Sequence, residues 1–218
     1  MRIALIHALT HSIAPINDAF MQMWPEATRV NLLDDSLSAD LAANQGVLDE
    51  AMHQRFRTLA DYAVDTGARG ILFTCSAFGA CIERVARKHS SIPVLKPNEA
   101  MISEAVRATN ASEHAIGLIA SFAPTLVSMP PEFPATSTLH SELVDDAMHA
   151  LNAGDVAAHD ASVVAAAMRL KARGAAVIAL AQFSMARAAS AVAAATGLPV
   201  LTTPITAIRL LKHRLGVA

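Results

Sequence analysis

Short apolar runs recur along the chain, separated by longer amphipathic stretches. The runs fall at residues 3–9, 28–33, 70–74, 92–95, 115–120, 136–140, 176–181 and 198–202. Each is too short for a helix and nearly continuous in apolar residues, the pattern of a parallel strand covered by helices on both faces. The clearest helix lies at 48–64. There Leu48, Met52, Phe56, Leu59 and Ala63 make one stripe, while Glu50, Gln54, Arg57 and Asp61 take other directions. Strands alternating with helices over the whole length predict an α/β fold with parallel sheets.

The pattern also repeats. Gly67-Ala68-Arg69-Gly70-Ile71-Leu72-Phe73-Thr74-Cys75 matches Gly174-Ala175-Ala176-Val177-Ile178-Ala179-Leu180-Ala181-Gln182, about half the chain later. Both run glycine, alanine, an apolar strand, then a polar residue at the strand end. Ile92-Pro93-Val94-Leu95 matches Leu198-Pro199-Val200-Leu201, and Ile3-Ala4-Leu5-Ile6 matches Ile116-Gly117-Leu118-Ile119. Matches in the same order predict an internal duplication into two pseudo-symmetric half-domains, each a four-stranded, mainly parallel sheet flanked by helices. The first half is residues 1–96 with 204–218 returning to it, and the second is 97–203.

Composition narrows the function. At 53% hydrophobic and 17% charged, the chain is far from the disordered regime. With 4% aromatics it offers no stacking platform for single-stranded nucleic acid, and a net charge of −2 gives no reason to expect a polyanion. No apolar run is long enough to span a bilayer, so no membrane partner is expected. Met1-Arg2-Ile3-Ala4-Leu5-Ile6-His7 reads as a first strand rather than a signal peptide, which makes a reduced, cytoplasmic setting the expectation. The two cysteines, Cys75 and Cys81, form neither a disulfide framework nor a C-x-x-C metal pattern. Cys81 shares helical spacing with Phe78, Ile82 and Val85 and reads as core. His7 and His11 are four apart on a strand running into a loop, which makes no metal face. Nothing in the chain rules out a homo-oligomer.

In open parallel sheets, ligands bind beyond the carboxyl ends of the strands. Two facing halves therefore place Thr74-Cys75-Ser76 and Ala181-Gln182-Phe183-Ser184 on opposite walls of one cleft, with Thr10-His11-Ser12 and Ser121-Phe122 lining it. Hydroxyls and free N–H groups at helix starts favour a carboxylate there. Ser12, with Pro15 three residues on, is a plausible N-cap. Cys75 has two readings. It is either a packed core thiol or, at a strand end opening a helix, a thiol whose pKa is lowered to give a usable thiolate. The duplication and its polar neighbours favour the second. His11 reads either as a loop histidine or as a second acid near the end of the first strand.

Phe73-Thr74-Cys75-Ser76-Ala77-Phe78-Gly79, the Ile92-Pro93-Val94 strand and a helix opening at Asn98-Glu99-Ala100 resemble the first half of the aspartate/glutamate/hydantoin racemase superfamily. The likeness runs over nearly the whole chain. It implies two pseudo-symmetric α/β halves, no metal or cofactor, and one cysteine on each wall. One thiolate takes the proton alpha to a carboxylate, and the other thiol returns one to the opposite face. By position, Cys75 matches the first cysteine. Ser12, Ser76, Ser121 and Phe183–Ser184 match places that cradle the substrate carboxylate or the developing enediolate. Gln182 stands where the second cysteine belongs, and an amide has no titrating proton near neutral pH.

The resulting expectation is a cofactor-independent isomerase of racemase type acting on a small carboxylate through Cys75. His11 is the candidate second acid, and Ser12, Thr74, Ser76, Ser121, Phe122, Gln182, Phe183 and Ser184 are substrate contacts. One-cysteine relatives of the superfamily include arylmalonate-type decarboxylases, the catalytic alternative. A non-catalytic small-acid binding protein of the same fold is the reading from another class. No glycine-rich nucleotide cradle follows any strand. The pairs Asp34-Asp35 and Asp145-Asp146 read as helix caps, and Arg209, Lys212, His213 and Arg214 as a helix C-terminus.

Overall fold

The computed structural model describes residues 1–109 and 114–217. Ala218, the last residue of the segment expected to return to the first half, lies outside the described residues. Strands β1 (Arg2–His7), β2 (Thr28–Leu33), β3 (Gly70–Phe73) and β4 (Val94–Leu95) form one sheet in the order β2-β1-β3-β4. Strands β5 (Ala115–Ala120), β6 (Leu139–Leu143), β7 (Ala175–Leu180) and β8 (Val200–Thr202) form a second in the order β6-β5-β7-β8. Every pairing is parallel, and the second order is the first displaced by four strands. That shared order is what a duplicated half should give.

The helices are α1 (Ile13–Met23), α2 (Ser36–Ala43), α3 (Glu50–Asp65), α4 (Gly79–Lys88), α5 (Glu99–Ala108), α6 (Ala123–Ser128), α7 (Asp145–Asn152), α8 (Val156–Ala172), α9 (Ala189–Thr196) and α10 (Thr203–Arg214). Alternation along β1 sends Ile3 and Leu5 to one face and Ala4 and Ile6 to the other. The first pair packs with Ile16 and Phe20 of α1 and Ile208 and Leu211 of α10. The second packs with Leu37, Met52, Phe56, Ile82 and Val85 from α2, α3 and α4. In the second sheet, Ile116 and Leu118 meet Met101, Ile102 and Ala105 of α5, while Ile119 meets Val163, Ala166 and Leu170 of α8. The helix after β4 thus packs on the second sheet, and the helix after β8 packs on the first. Cys81 is fully buried beside Phe78, and burial pushes its thiol up to about 12.

Several expected details shift. The sixth strand is Leu139–Leu143 rather than 136–140, because an edge strand pairs on one side only and tolerates His140, Ser141 and Glu142. Ser137, inside the expected run, instead donates its N–H to the Pro134 carbonyl in a turn. The fourth strand is only Val94–Leu95, since Pro93 has no N–H to give to the ladder, although its carbonyl accepts from Ile71. Helix α3 begins at Glu50, capped by the Asp49 carboxylate accepting from the Met52 N–H at 2.8 Å. Its buried stripe takes Ala60 with Met52, Phe56 and Ala63, leaving Leu59 at the edge. Ser12 does occupy the position before α1, but its φ and ψ are helical and its side chain caps nothing, because a 3-10 turn at Thr10–Ser12 runs straight into the helix.

Candidate active site

Strand β3 carries the chain to the carboxyl edge of the first sheet, and the Thr74 N–H extends the pairing to the Ile6 carbonyl at 3.0 Å. Cys75 follows in extended conformation and then a single 3-10 turn, Ser76–Phe78, before α4 starts at Gly79. The thiol, half-buried, lies against Ile6, His7, Ala8, Leu37, Phe56 and Phe73, around a space too tight for a water molecule. Burial pushes its pKa from an ordinary 9.0 up to about 11, outweighing the Ala77 N–H and the Ser38 hydroxyl nearby. The direction is opposite to the lowering expected from a helix start. One 3-10 turn aligns too few peptide dipoles to offset an apolar enclosure. At neutral pH the resting group is a thiol, a proton donor rather than a base.

His7, last residue of β1, lines the same space and is fully buried. Its Nδ1 is 2.9 Å from the Thr74 hydroxyl and its Nε2 is 2.9 Å from Asn31 Oδ1 on the neighbouring strand. Asn31 Oδ1 also accepts from Asn17. The network therefore assigns the proton to Nε2, leaving Nδ1 to accept from Thr74. Burial lowers the His7 pKa, with the Asn31 bond acting the other way. Thr74, expected to touch substrate, spends its hydroxyl on His7 and is itself buried. Local spacing offers His7 only as a metal ligand beside His11. Its real partners lie 24 and 67 positions away, out of reach of local spacing.

The two halves meet through a buried chain of hydrogen bonds. Gln182 accepts the Ser121 backbone N–H at 2.9 Å, and its amide nitrogen donates to the Thr125 hydroxyl at 3.1 Å. Thr125 is in turn 3.2 Å from the Ser76 hydroxyl, next to Cys75. Ser128 adds a bond to the Ser76 carbonyl at 3.3 Å. Gln182 and Ser76 thus belong to one seam, and Thr125, absent from the sequence candidates, is the link. Two aromatic residues reinforce it. Phe122 packs against the Phe78 core of the first half, and Phe183 is buried among Ile3, Leu5, Ile16 and Phe20. Phe183 is therefore core, not a wall of an open cleft.

The remaining candidates divide. Ser12 is buried, and Ser121 has a buried hydroxyl with no partner among the described residues. His11 and Ser184 line a cavity of about 560 Å³ between α1 and the segment after β7, which Cys75 does not reach. His11 Nε2 lies 3.0 Å from Asn152 Oδ1 of the second half. Among the described residues, no three His, Cys, Asp or Glu side chains are grouped to hold a metal ion. No helix among them is long and apolar enough to cross a membrane.

The two paired parallel sheets flanked by helices define a class of fold, the two-domain α/β fold of racemases. No protein-family model and no curated protein matches the chain. Solved structures do. An allantoin racemase from Pseudomonas fluorescens covers 100% of this chain and 93% of its own, with a TM-score of 0.71 and 16% identity. A glutamate racemase from Bacillus anthracis covers 99% and 82%, with a TM-score of 0.76 and 15% identity. An aspartate racemase from Picrophilus torridus covers 99% and 94%, with a TM-score of 0.70 and 12% identity. The chain has the fold of these racemases, as the sequence resemblance implied.

Proposed function

We propose that this chain is a cofactor-independent enzyme of racemase type that acts at the alpha carbon of a small carboxylate, with Cys75 as the group that moves the proton. The observation that carries the reading is the place of that thiol. It lies just past the end of β3 beside the seam of a racemase fold, next to Ser76, which bonds across to the other half. The working halves in this reading are residues 1–96 with 204–218 and residues 97–203. Gln182 occupies the second wall and is committed to Ser121 and Thr125, so proton transfer is one-sided. His11, the candidate second acid, follows β1 and reaches the other half at Asn152, but it faces a cavity that Cys75 does not reach, so this reading assigns it no step at the carbon Cys75 serves.

One observation favours a second reading. A thiol held protonated by burial suits an enzyme whose carbanion arises by loss of carbon dioxide, as in an arylmalonate-type decarboxylase. There Cys75 needs only to donate a proton, and solvent restores it afterwards. Amino acids, hydantoins and substituted malonates incubated in deuterated water separate the readings by alpha exchange, inversion or carbon dioxide release. Cys75→Ser should cut whichever activity appears by about 10²–10⁴-fold, the usual worth of a general acid or base. Full turnover by that variant sinks both readings that rest on Cys75, whereas no exchange, inversion or carbon dioxide release by the wild type leaves a small-acid binding protein.

A further inference from the structure

We infer that the hollow between helices α3 and α4 binds a phosphate group, as a site independent of Cys75 and of the proposed reaction. Glu50, His53 and Arg57 line it from α3, and Arg84, Val85 and Lys88 line it from α4. Its volume of about 180 Å³ is below the usual range for a whole organic ligand, so it suits one compact group.

The two helices owe their contact to other side chains. Met52, Phe56 and Ala60 of α3 share one core with Cys81, Ile82 and Val85 of α4. That packing brings two basic pairs to the same hollow. His53 and Arg57 are one turn apart on α3, and Arg84 and Lys88 are one turn apart on α4. Arg84 and Lys88 repel at that spacing, and Arg57 adds a third cation from the facing helix. A sequence breaks such local rules mainly where a function needs it.

The carboxylates nearby answer these charges incompletely. Glu50 pairs with Arg84 at 2.6 Å but stands 3.9 Å from Arg57, beyond hydrogen-bond distance. Arg57 donates instead to the Gln54 amide oxygen, a neutral acceptor. Asp61 pairs with Lys88 at 2.6 Å and also with His89 at 2.7 Å, so its charge is shared with a group outside the hollow. His53 Nδ1 is buried and has no partner among the described residues. A native fold seldom leaves such a group unpaired.

A phosphate monoester carries about −1.5 to −2 charges near neutral pH and has three acceptor oxygens. One such group can accept from Arg57, Arg84 and Lys88 together and supply the partner that His53 lacks. A carboxylate has one charge and two oxygens, and Glu50 already provides one.

Isothermal titration calorimetry of the full chain with inorganic phosphate, methyl phosphate and acetate, at fixed ionic strength, tests the assignment. At least one of the two phosphates should bind roughly tenfold or more tightly than acetate, because acetate cannot bond all the cations. Binding of inorganic phosphate alone marks a site for the free ion, and equal binding of methyl phosphate marks one for a phosphorylated small molecule. Arg57→Gln and Lys88→Gln should each weaken phosphate about tenfold, the worth of one charge-assisted bond. Both side chains are about half exposed, so the variants should fold. No phosphate binding, acetate binding as tightly as phosphate, or unchanged affinity in the double variant overturns the inference. The last result would place the anion elsewhere, such as the cleft between the halves. Cys75→Ser should leave phosphate affinity unchanged, so this inference and the catalytic reading fail on different measurements.

Discussion

At Cys75 two influences oppose each other: a chain about to enter a helix, and an apolar enclosure formed by Leu37, Phe56 and Phe73. Enclosure prevails because the turn that follows is only three residues long. His7 is governed by the same enclosure, and its consequence is measurable. Burial lowers its pKa below 6.5, so the unfolded chain takes up the proton first as pH falls. Stability from a neutral His7 is fully present above about pH 6.5 and is lost on acidification toward its folded value. His7→Gln keeps an acceptor and a donor but does not titrate. Urea midpoints for wild type and variant should therefore converge as pH drops from about 7 to 5, with the wild type losing more. Parallel pH profiles would mean that the His7 pKa is the same in the folded and unfolded chain, against the lowering by burial. The position of Cys75 was legible in the sequence because a strand end is local. Its acidity and the role of His7 were not, since both depend on side chains far along the chain.

Among the elements, β5 shows how closely the layers approach. A Cβ on Gly117 would lie 2.9 Å from Ile178 Cδ1 and 3.2 Å from both Ala175 Cβ and Leu170 Cβ. The absent side chain lets α8 lie on the sheet. Gly117→Ala should cost about 1–3 kcal/mol by overpacking, read as a lower urea midpoint with unchanged slope. An unaffected midpoint would mean that α8 yields freely there. Central strands such as β5 and β7 were legible because burial on both faces leaves only apolar residues. For the edge strand β6 the pattern points three residues early, because one solvent-facing side lets Ser141 and Glu142 into a strand and blurs it.

For the whole molecule, the seam decides what the site can do. Gln182 satisfies the Ser121 N–H and the Thr125 hydroxyl within the second half, and Thr125 carries the chain across to Ser76, at the position where the resemblance implies a thiol. Gln182→Cys tests both roles together. Losing the amide should lower stability by about 1–3 kcal/mol, because it leaves the buried Ser121 N–H without its partner and takes one of two from the Thr125 hydroxyl. The new thiol should raise racemisation of a substrate that the wild type handles on one face, read by chiral chromatography after incubation. A folded variant that stays strictly one-sided would show that position 182 does not face the reacting carbon.

Periodicity and self-similarity alone determined the two four-stranded parallel sheets and the strand-end place of Cys75, because burial and period are written into neighbouring residues. Tertiary structure alone decided that Thr74 serves His7, that Phe183 is core, and that Gln182 reaches Ser76 through Thr125. It also decided that His11 and Ser184 share a cavity without Cys75. Each of these depends on which side chains from distant segments come within about 3–4 Å, and hydrogen bonding and desolvation act only over such distances.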